Sequence, residues 1–522
     1  MSHFKASRRR FLASASLASA SLVLLSAPAL AEMLPPSRTA GVPVPSGQID
    51  KAVAALDGIV EDIKARSGVP GLAVAVVQGG ETVYAKGFGT RGGDLPVTPD
   101  TVFQLASLSK SIGATVVARQ VSRDVVSWDS RMQDLLPWFS LSDAAVSERL
   151  TIGDLYSHRS GLPDHAGDDL EDLGFGRQTI LERLRLQPLS PFRTSYAYTN
   201  FGLTAAAEAV ADASGMAWSD LAQEAVFQPL GMTNTSARFE DFMARENRAT
   251  PHARTAEGFA PLYQREPDAQ SPAGGISSTA NDMTKWMKMV LADGADLIRP
   301  EALQPAISPQ SFSRRPHSPD ERAGFYGYGF GVSTDPSGRV ILSHSGAFIM
   351  GAATYFALIP SLDVGIVVLS NAAPVGAVES IGASFTDMVQ TGAVTRDWFS
   401  GYEPMFAGFY TPLGETAGKP FPKAAAAPPP AGYCIGRYSH PYFGTVEVAE
   451  DETGGLALLV GPRPEAFQLM PWDGAMMVFD IDTENAPAGS RSAATFSGGP
   501  DKAETLEIEL FALNGPARFT RR

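Results

Sequence analysis

One cysteine, Cys434, in 522 residues excludes any intramolecular disulfide. Long apolar runs are also missing. The Ala/Ser/Leu-rich stretch ending at Leu25 is short, broken by serines and followed by Pro28, so no stable membrane span is expected once a leader is removed. Positive charge is scarce, with 42 Lys and Arg against 56 Asp and Glu and a net charge of −14. Residues 1–31 hold Lys5, Arg8, Arg9 and Arg10 and no acid, so the remainder carries −18, four charges lower. Bulk attraction to nucleic acid or an anionic membrane is thereby excluded, and the balance suits small or cationic substrates. There is no phosphate-cradling Gly-rich loop, no Gly-x-Ser-x-Gly elbow and no internal repeat. His158 and His165 are seven apart in a Pro/Gly loop without a supporting carboxylate or cysteine pattern. A structural role is expected for both, and no metal or cofactor.

The N-terminus decides the compartment. Ser7-Arg8-Arg9-Arg10-Phe11-Leu12 resembles a twin-arginine export signal, followed by the short apolar segment and a small-residue cleavage site at Ala29-Leu30-Ala31. A periplasmic or secreted protein is expected, exported already folded, which suits a chain that needs no oxidative folding.

From Gln48 to Arg66 apolar residues recur at helical spacing until Gly68. Leu72–Val77 and Thr82–Phe88 flank Gly79-Gly80 and predict a β-hairpin. Residues 111–330 are mostly helical with long loops. Arg339–Gly346, Gly351–Leu358 and Asp363–Leu369 predict three strands, and a helix follows over about 375–390. Two early and three late strands, each group beside a terminal helix, imply one antiparallel sheet assembled from both ends, flanked by helices, with a mostly helical lobe between. Residues 392–431 lose periodicity and end in a Pro/Ala-rich run, a linker. Beyond them short strands recur at 444–449, 456–460, 476–479 and 505–511, with an Asn514-Gly515 turn before 517–520, and predict a small all-β barrel.

The chemistry concentrates in Phe103–Val117, where Ser107 and Lys110 head an apolar helix. Three residues apart, they share one helix face. A serine hydroxyl needs a nearby base, and a buried lysine can supply one in its neutral form. A chain of this composition contains a Ser-x-x-Lys by chance, and Ser2 to Lys5 is another, so the pair alone does not establish catalysis. Tyr198 and Asn200 are two apart before an Ala-rich helix. On an extended segment both point one way, whereas the plainer reading is an aromatic patch followed by an Asn cap. His344-Ser345-Gly346 ends a strand.

Ser107-x-x-Lys110, Tyr198-x-Asn200 and His344-Ser345-Gly346, in this order, resemble the three signatures of the penicillin-recognising serine hydrolases, in their class C β-lactamase and DD-peptidase branch. Ser157–Pro163, Phe227–Met232 and Pro272–Thr279 are similar to companion segments of that family. The resemblance implies a class C β-lactamase-like α/β fold. It implies an acyl-enzyme on Ser107, with proton transfer shared by Lys110 and Tyr198. Asn200 would bond the substrate amide, and the backbone N–H groups of Ser107 and Ala347 would form an oxyanion hole worth roughly 3 kcal/mol per donor. One departure is chemical: class C β-lactamases carry Lys-Thr-Gly where this chain has His344-Ser345-Gly346, and a histidine is only partly charged near neutral pH. The implied substrate is therefore a peptide or amide with D-residues or peptidoglycan-like character. A β-lactamase or short-chain esterase on the same scaffold, and a penicillin-binding protein without turnover, are the alternatives. Residues 432–522, through Ile435–Tyr438 and Tyr442–Thr445, resemble a lipocalin-like domain attached to peptidases of this branch, where it restricts access to the site or supports self-assembly. The expected organisation is a signal peptide over 1–31, a serine hydrolase domain over 32–391, a linker over 392–431 and the barrel over 432–522, with a homo-oligomer through the barrel.

Overall fold

The central strands, Gly71–Gln78, Val364–Ser370 and Ala352–Ile359, are almost continuously apolar because both faces of their sheet are covered. Alternation survives inside the run. Leu72, Val74 and Val76 point to the helices Gln48–Ser67 and Ala377–Thr391, packing with Leu56, Val60, Ile381 and Phe385. Ala73, Ala75 and Val77 join the opposite core with Leu108, Ile112 and Trp286. The structure is a computed structural model that describes residues 34–522 except 463, 513, 514 and 516. The export signal and the Asn514 turn position lie outside the described residues. The chain divides into two units between Thr39 and Ala40. Among described residues the first contains one 3-10 turn, Pro36–Arg38, and the second holds both the sheet and the barrel.

Among the described residues the sheet has nine strands, with Leu95–Pro96 at one edge beside Glu81–Gly92. The early hairpin, Gly71–Gln78 with Glu81–Gly92, pairs antiparallel with Val364–Ser370, followed by Ala352–Ile359, Val340–Phe348 and the shorter strands 331–334, 324–326 and 311–314. Closure from both chain ends is fixed by Val74 opposite Val368 and Ala75 opposite Val367. Helix Leu108–Ser122 is buried nearly all round, lodged between the sheet and the helical lobe. Its polar residues are bonded rather than exposed: Ser111 Oγ donates to the Gly329 carbonyl (2.5 Å) and Ser109 Oγ accepts from Ile276 N (3.0 Å).

The C-terminal strands close into an eight-stranded antiparallel barrel, sealed where Tyr438 and Ser439 of the first strand meet Arg521 and Thr520 of the last. The strand expected over 505–511 ends at Ile508, and Glu509–Phe511 forms a 3-10 turn that stacks Phe511 on Phe443 (4.8 Å between centroids). The expected linker over 392–431 also departs from plain coil. Trp398–Phe406 is a helix with Pro404 inside it, followed by a 3-10 turn at Ala407–Tyr410. Its anchors are single side chains, which is why no periodicity announces it: Phe399 enters the helix-side core, Trp398 Nε1 donates to Asp387 Oδ2 (2.7 Å) and Tyr410 OH to the Pro374 carbonyl (2.6 Å). No helix of the described residues is long and apolar enough to cross a membrane.

Candidate active site

Ser107 is set by the turn before its helix. Ala106 takes a left-handed φ of 46°, a conformation costly to a residue with a side chain, and Ser107 then stands at the helix N-cap. One helical turn on, Lys110 is fully buried, with Nζ 3.0 Å from Ser107 Oγ, 2.7 Å from Asn200 Oδ1 and 2.9 Å from the Ala273 carbonyl. Ala273 belongs to the Pro272–Thr279 segment, so that stretch supplies an acceptor to the lysine. Burial lowers the Lys110 pKa to about 7, against the attraction of Asp168 that raises it. The Lys110 ammonium position also lies 4.6 Å from the centre of the Tyr198 ring.

Tyr198 precedes the helix Asn200–Ala213, with Thr199 extended between the two. The tyrosine hydroxyl donates to Ser107 Oγ (2.8 Å), and burial holds its pKa well above the ordinary phenol value. It is held from behind by His158, whose ring lies 4.5 Å from the Tyr198 ring and whose Nδ1 accepts from Thr199 N (3.2 Å). Burial, aided by the nearby Lys110, holds the His158 pKa well below the ordinary imidazole value, so the ring is neutral. Asn200 Oδ1 accepts from Lys110 Nζ (2.7 Å) and Nδ2 donates to Asp168 Oδ2 (2.7 Å), which leaves one N–H and one lone pair of the amide over. Placed on the first turn of a buried helix, the amide is turned inward.

The third segment closes the site from the sheet. A Cβ on Gly346 would fall 2.4 Å from Thr354 Oγ1, 2.5 Å from the Leu105 carbonyl and 2.9 Å from Ser107 N, so only glycine lets this strand run against the serine backbone. Ser345 and Ala347, on either side, line the cavity next to Ser107. Ser345 Oγ donates to the buried Glu379, whose pKa burial raises to about 7. His344 is also placed otherwise than expected. It is buried, bonded through Nε2 to Tyr326 OH (2.8 Å), and its pKa is pushed down to about 3 by burial and by Lys110. The ring is therefore neutral near pH 7, not partly charged, because burial and the neighbouring Lys110 disfavour its cation.

The cavity in front of Ser107 has a volume of about 660 Å³. Asp164, His165, Asp168, Asp169 and Tyr198 form one wall, and Ser345, Ala347 and Ile349 another. Phe406, Phe409 and Leu413 from the segment before the barrel, and Glu484, Asn485 and Pro487 from a barrel loop, complete it. Glu484 accepts from Ile349 N (2.7 Å) and Met350 N (3.3 Å), fastening that loop to the end of the Ser345 strand. Its lining includes no lysine or arginine. His165, expected to be structural, faces the cavity with its side chain 52% exposed and its Nδ1 2.7 Å from Asp168 Oδ2. Burial would lower its pKa, but the bond to Asp168 and the charges of Asp168 and Asp164 outweigh that and raise it. No local signal marked His165, Asp168, Phe409 or Glu484, because each gains meaning only from a distant segment. Among the described residues no group of three or more His, Cys, Asp or Glu side chains could hold a metal ion.

Comparisons with known proteins point the same way. The family model described as Beta-lactamase matches residues 56–383. The chain is 27% identical over 423 residues to "Unguisins hydrolase ungD'" of Aspergillus campestris, covering 76% of this chain and 78% of that one. It is 23% identical over 350 residues to "D-alanyl-D-alanine-carboxypeptidase/endopeptidase AmpH" of Escherichia coli K12, covering 64% and 88%. Among solved structures, the octameric penicillin-binding protein homologue from Pyrococcus abyssi superposes with a TM-score of 0.58 at 20% identity, covering 90% of this chain and all of that one, a likeness of fold.

Proposed function

The chain belongs to the beta-lactamase family of serine hydrolases, and on that premise we propose that it is an exported hydrolase of peptide or amide bonds, acting on D-residue or peptidoglycan-like peptides through an acyl-enzyme on Ser107. The observation that carries this reading is the pair of contacts on Ser107 Oγ, from Lys110 Nζ at 3.0 Å and Tyr198 OH at 2.8 Å, with the lysine pKa brought to about 7. In its neutral form Lys110 takes the proton as Ser107 Oγ bonds to the substrate carbonyl carbon. Tyr198 gives its phenol proton to the leaving nitrogen as the C–N bond breaks and recovers one from the Lys110 ammonium, so the amine leaves neutral. Water, its proton taken by the neutral Lys110, then attacks the ester carbonyl, and the Lys110 ammonium returns a proton to Ser107 Oγ as the C–O bond breaks. The backbone N–H groups of Ser107 and Ala347 receive the oxyanion, and Ser345 and Gly346 hold the strand that carries the second of them.

Two features favour amide over β-lactam substrates. His344 is neutral where a β-lactamase has lysine, and the cavity lining offers a carboxylate no permanent cation among Asp164, Asp168, Asp169 and Glu484. The D-alanyl peptidase activity in the name of the Escherichia coli relative agrees in substrate class. Export to the periplasm or medium rests on the twin-arginine-like segment Ser7–Leu12. A homo-oligomer rests on the octameric Pyrococcus abyssi homologue, and light scattering of the purified protein tests it.

The test of function is a panel of D-amino-acid p-nitroanilides, DD-dipeptides, short esters and a chromogenic cephalosporin offered to the mature protein. D-amino-acid amides should turn over fastest, ahead of the carboxylate-bearing DD-dipeptides and cephalosporin. Ser107→Ala should lower that rate at least about a thousandfold and leave no covalent adduct by mass spectrometry. A label on another serine would overturn the assignment, and one-time labelling without product would favour a binding protein.

A further inference from the structure

Asp168 holds two donors on one oxygen. Its Oδ2 lies 2.7 Å from Asn200 Nδ2 and 2.7 Å from His165 Nδ1, while Oδ1 is buried without a partner among the described residues. It is placed there by Gly167, which takes a φ of 98° and where a Cβ would meet Phe201 at 2.9 Å and Ile180 at 2.8 Å. The consequence reaches Lys110. An asparagine amide can turn either end toward a neighbour, and its bonding partners decide which. A carboxylate only accepts, so Nδ2 must face Asp168 and Oδ1 must face the lysine. The Ala273 carbonyl, 2.9 Å from Nζ, likewise only accepts. A neutral lysine amine has two N–H bonds and one lone pair. With Asn200 Oδ1 and Ala273 O taking the two hydrogens, the lone pair has one place left to point, Ser107 Oγ.

We propose that Asp168 is a positioning residue for the proposed hydrolysis: by fixing the Asn200 amide it directs the Lys110 lone pair at Ser107, and His165, bonded to the same oxygen and facing the cavity, is coupled to that lysine. This rests on the Ser107 and Lys110 reading above. If Asn200 turned over, Nδ2–H would compete with the Ser107 hydroxyl for the lone pair. After proton transfer the ammonium has three hydrogens for three acceptors, so the same arrangement fits both states of the lysine. Other charged or titratable groups face this pair. Asp164 has Oδ2 3.9 Å from His165 Nε2. Asp169, Glu171, Tyr198 and Tyr442 interact with the Asp168 charge, and Lys110 with both partners. Asp164, Asp169, Glu171, Tyr198 and Tyr442 are unchanged in the two variants below, so their contribution is constant between them.

Two variants move the lysine in opposite directions. Asp168→Asn removes a charge that favours the Lys110 ammonium and lets the amide turn, whereas His165→Gln removes a group whose protonated form repels that ammonium. The full-length mature protein, with ε-13C-labelled lysine, is titrated by NMR, and acylation by p-nitrophenyl acetate is followed across pH. In Asp168→Asn the Lys110 midpoint should move to lower pH and acylation should fall about 10- to 100-fold, within the range for a misdirected general base. In His165→Gln the midpoint should move to higher pH. A Lys110 midpoint unmoved in both variants overturns the proposal, as does unaltered acylation in a folded Asp168→Asn protein. Should Asp168→Asn not fold, the His165→Gln midpoint alone decides. Wild-type protein that is never acylated on Ser107 refutes the proposed function instead, and the NMR midpoints still judge the positioning.

Discussion

At the scale of single residues the site is built from groups kept out of water. Lys110 illustrates the cost. Its pKa falls from 10.5 to about 7, so between those values the unfolded chain binds more protons than the folded one. Stability should therefore rise with pH across that window. Lys110→Met, which removes the buried amine at similar length, should raise the thermal midpoint and flatten its rise between pH 7 and 10 while lowering acylation roughly 100- to 10,000-fold. Differential scanning calorimetry across pH reads the first effect and an ester assay the second. In the wild type the rate should climb as pH passes through about 7, because only the neutral amine accepts the Ser107 proton. Ser107 and Lys110 were legible in the sequence because three-residue spacing on a helix needs no tertiary information. The electrical states of His344 and His165 were not. One was expected partly charged and is neutral, the other was expected structural and faces the cavity, and in both cases the deciding neighbours come from other segments.

At the scale of elements, the strand carrying Ser345 and the helix headed by Ser107 meet at a place where a side chain cannot fit. Gly346→Ala would put a methyl 2.4 to 2.9 Å from Thr354, Leu105 and the Ser107 N–H. The strand must then move away from Ser107, and acylation should drop at least about tenfold through loss of oxyanion contact. The fold should survive, since register is set elsewhere by Ala357 opposite Ile366 and Tyr355 opposite Val368. Circular dichroism with acylation kinetics separates these outcomes; a Gly346→Ala protein acylated at the wild-type rate would refute the argument. The sheet from both chain ends was legible because its strands are unbroken apolar runs beside Gly turns. Helix Trp398–Phe406 was not, since its hold on the core passes through Phe399 and Trp398 alone.

At the scale of the whole molecule, hydrolase and barrel meet at the wall of the cavity through acids that are costly to ionise, Asp169 of the first and Glu484 of the second. Asp169 accepts from Tyr442 OH of the barrel (2.7 Å), and burial raises its pKa to about 6. Burial raises Glu484 to about 8. A carboxyl whose folded pKa is raised binds more protons folded than unfolded, so its contribution is present at low pH and is lost as pH rises from about 4 toward 8. The contact between barrel and hydrolase should thus be tighter near pH 5 than near pH 8. Hydrogen exchange in residues 411–431 and 484–487 reads this directly, and protection that grows with pH would refute it.

The sequence by itself determined what depends on local spacing and apolar pattern: the paired Ser107 and Lys110, the antiparallel sheet, the helical lobe and a final all-β unit. Tertiary structure decided everything that depends on which groups are deprived of water and by whom. It turned Asn200 inward to Asp168, neutralised His344, and set Phe409 and Glu484 in the wall of the cavity that Ser107 faces. Burial and charge act through space, and residues hundreds of positions apart carry no mark of one another in their order along the chain.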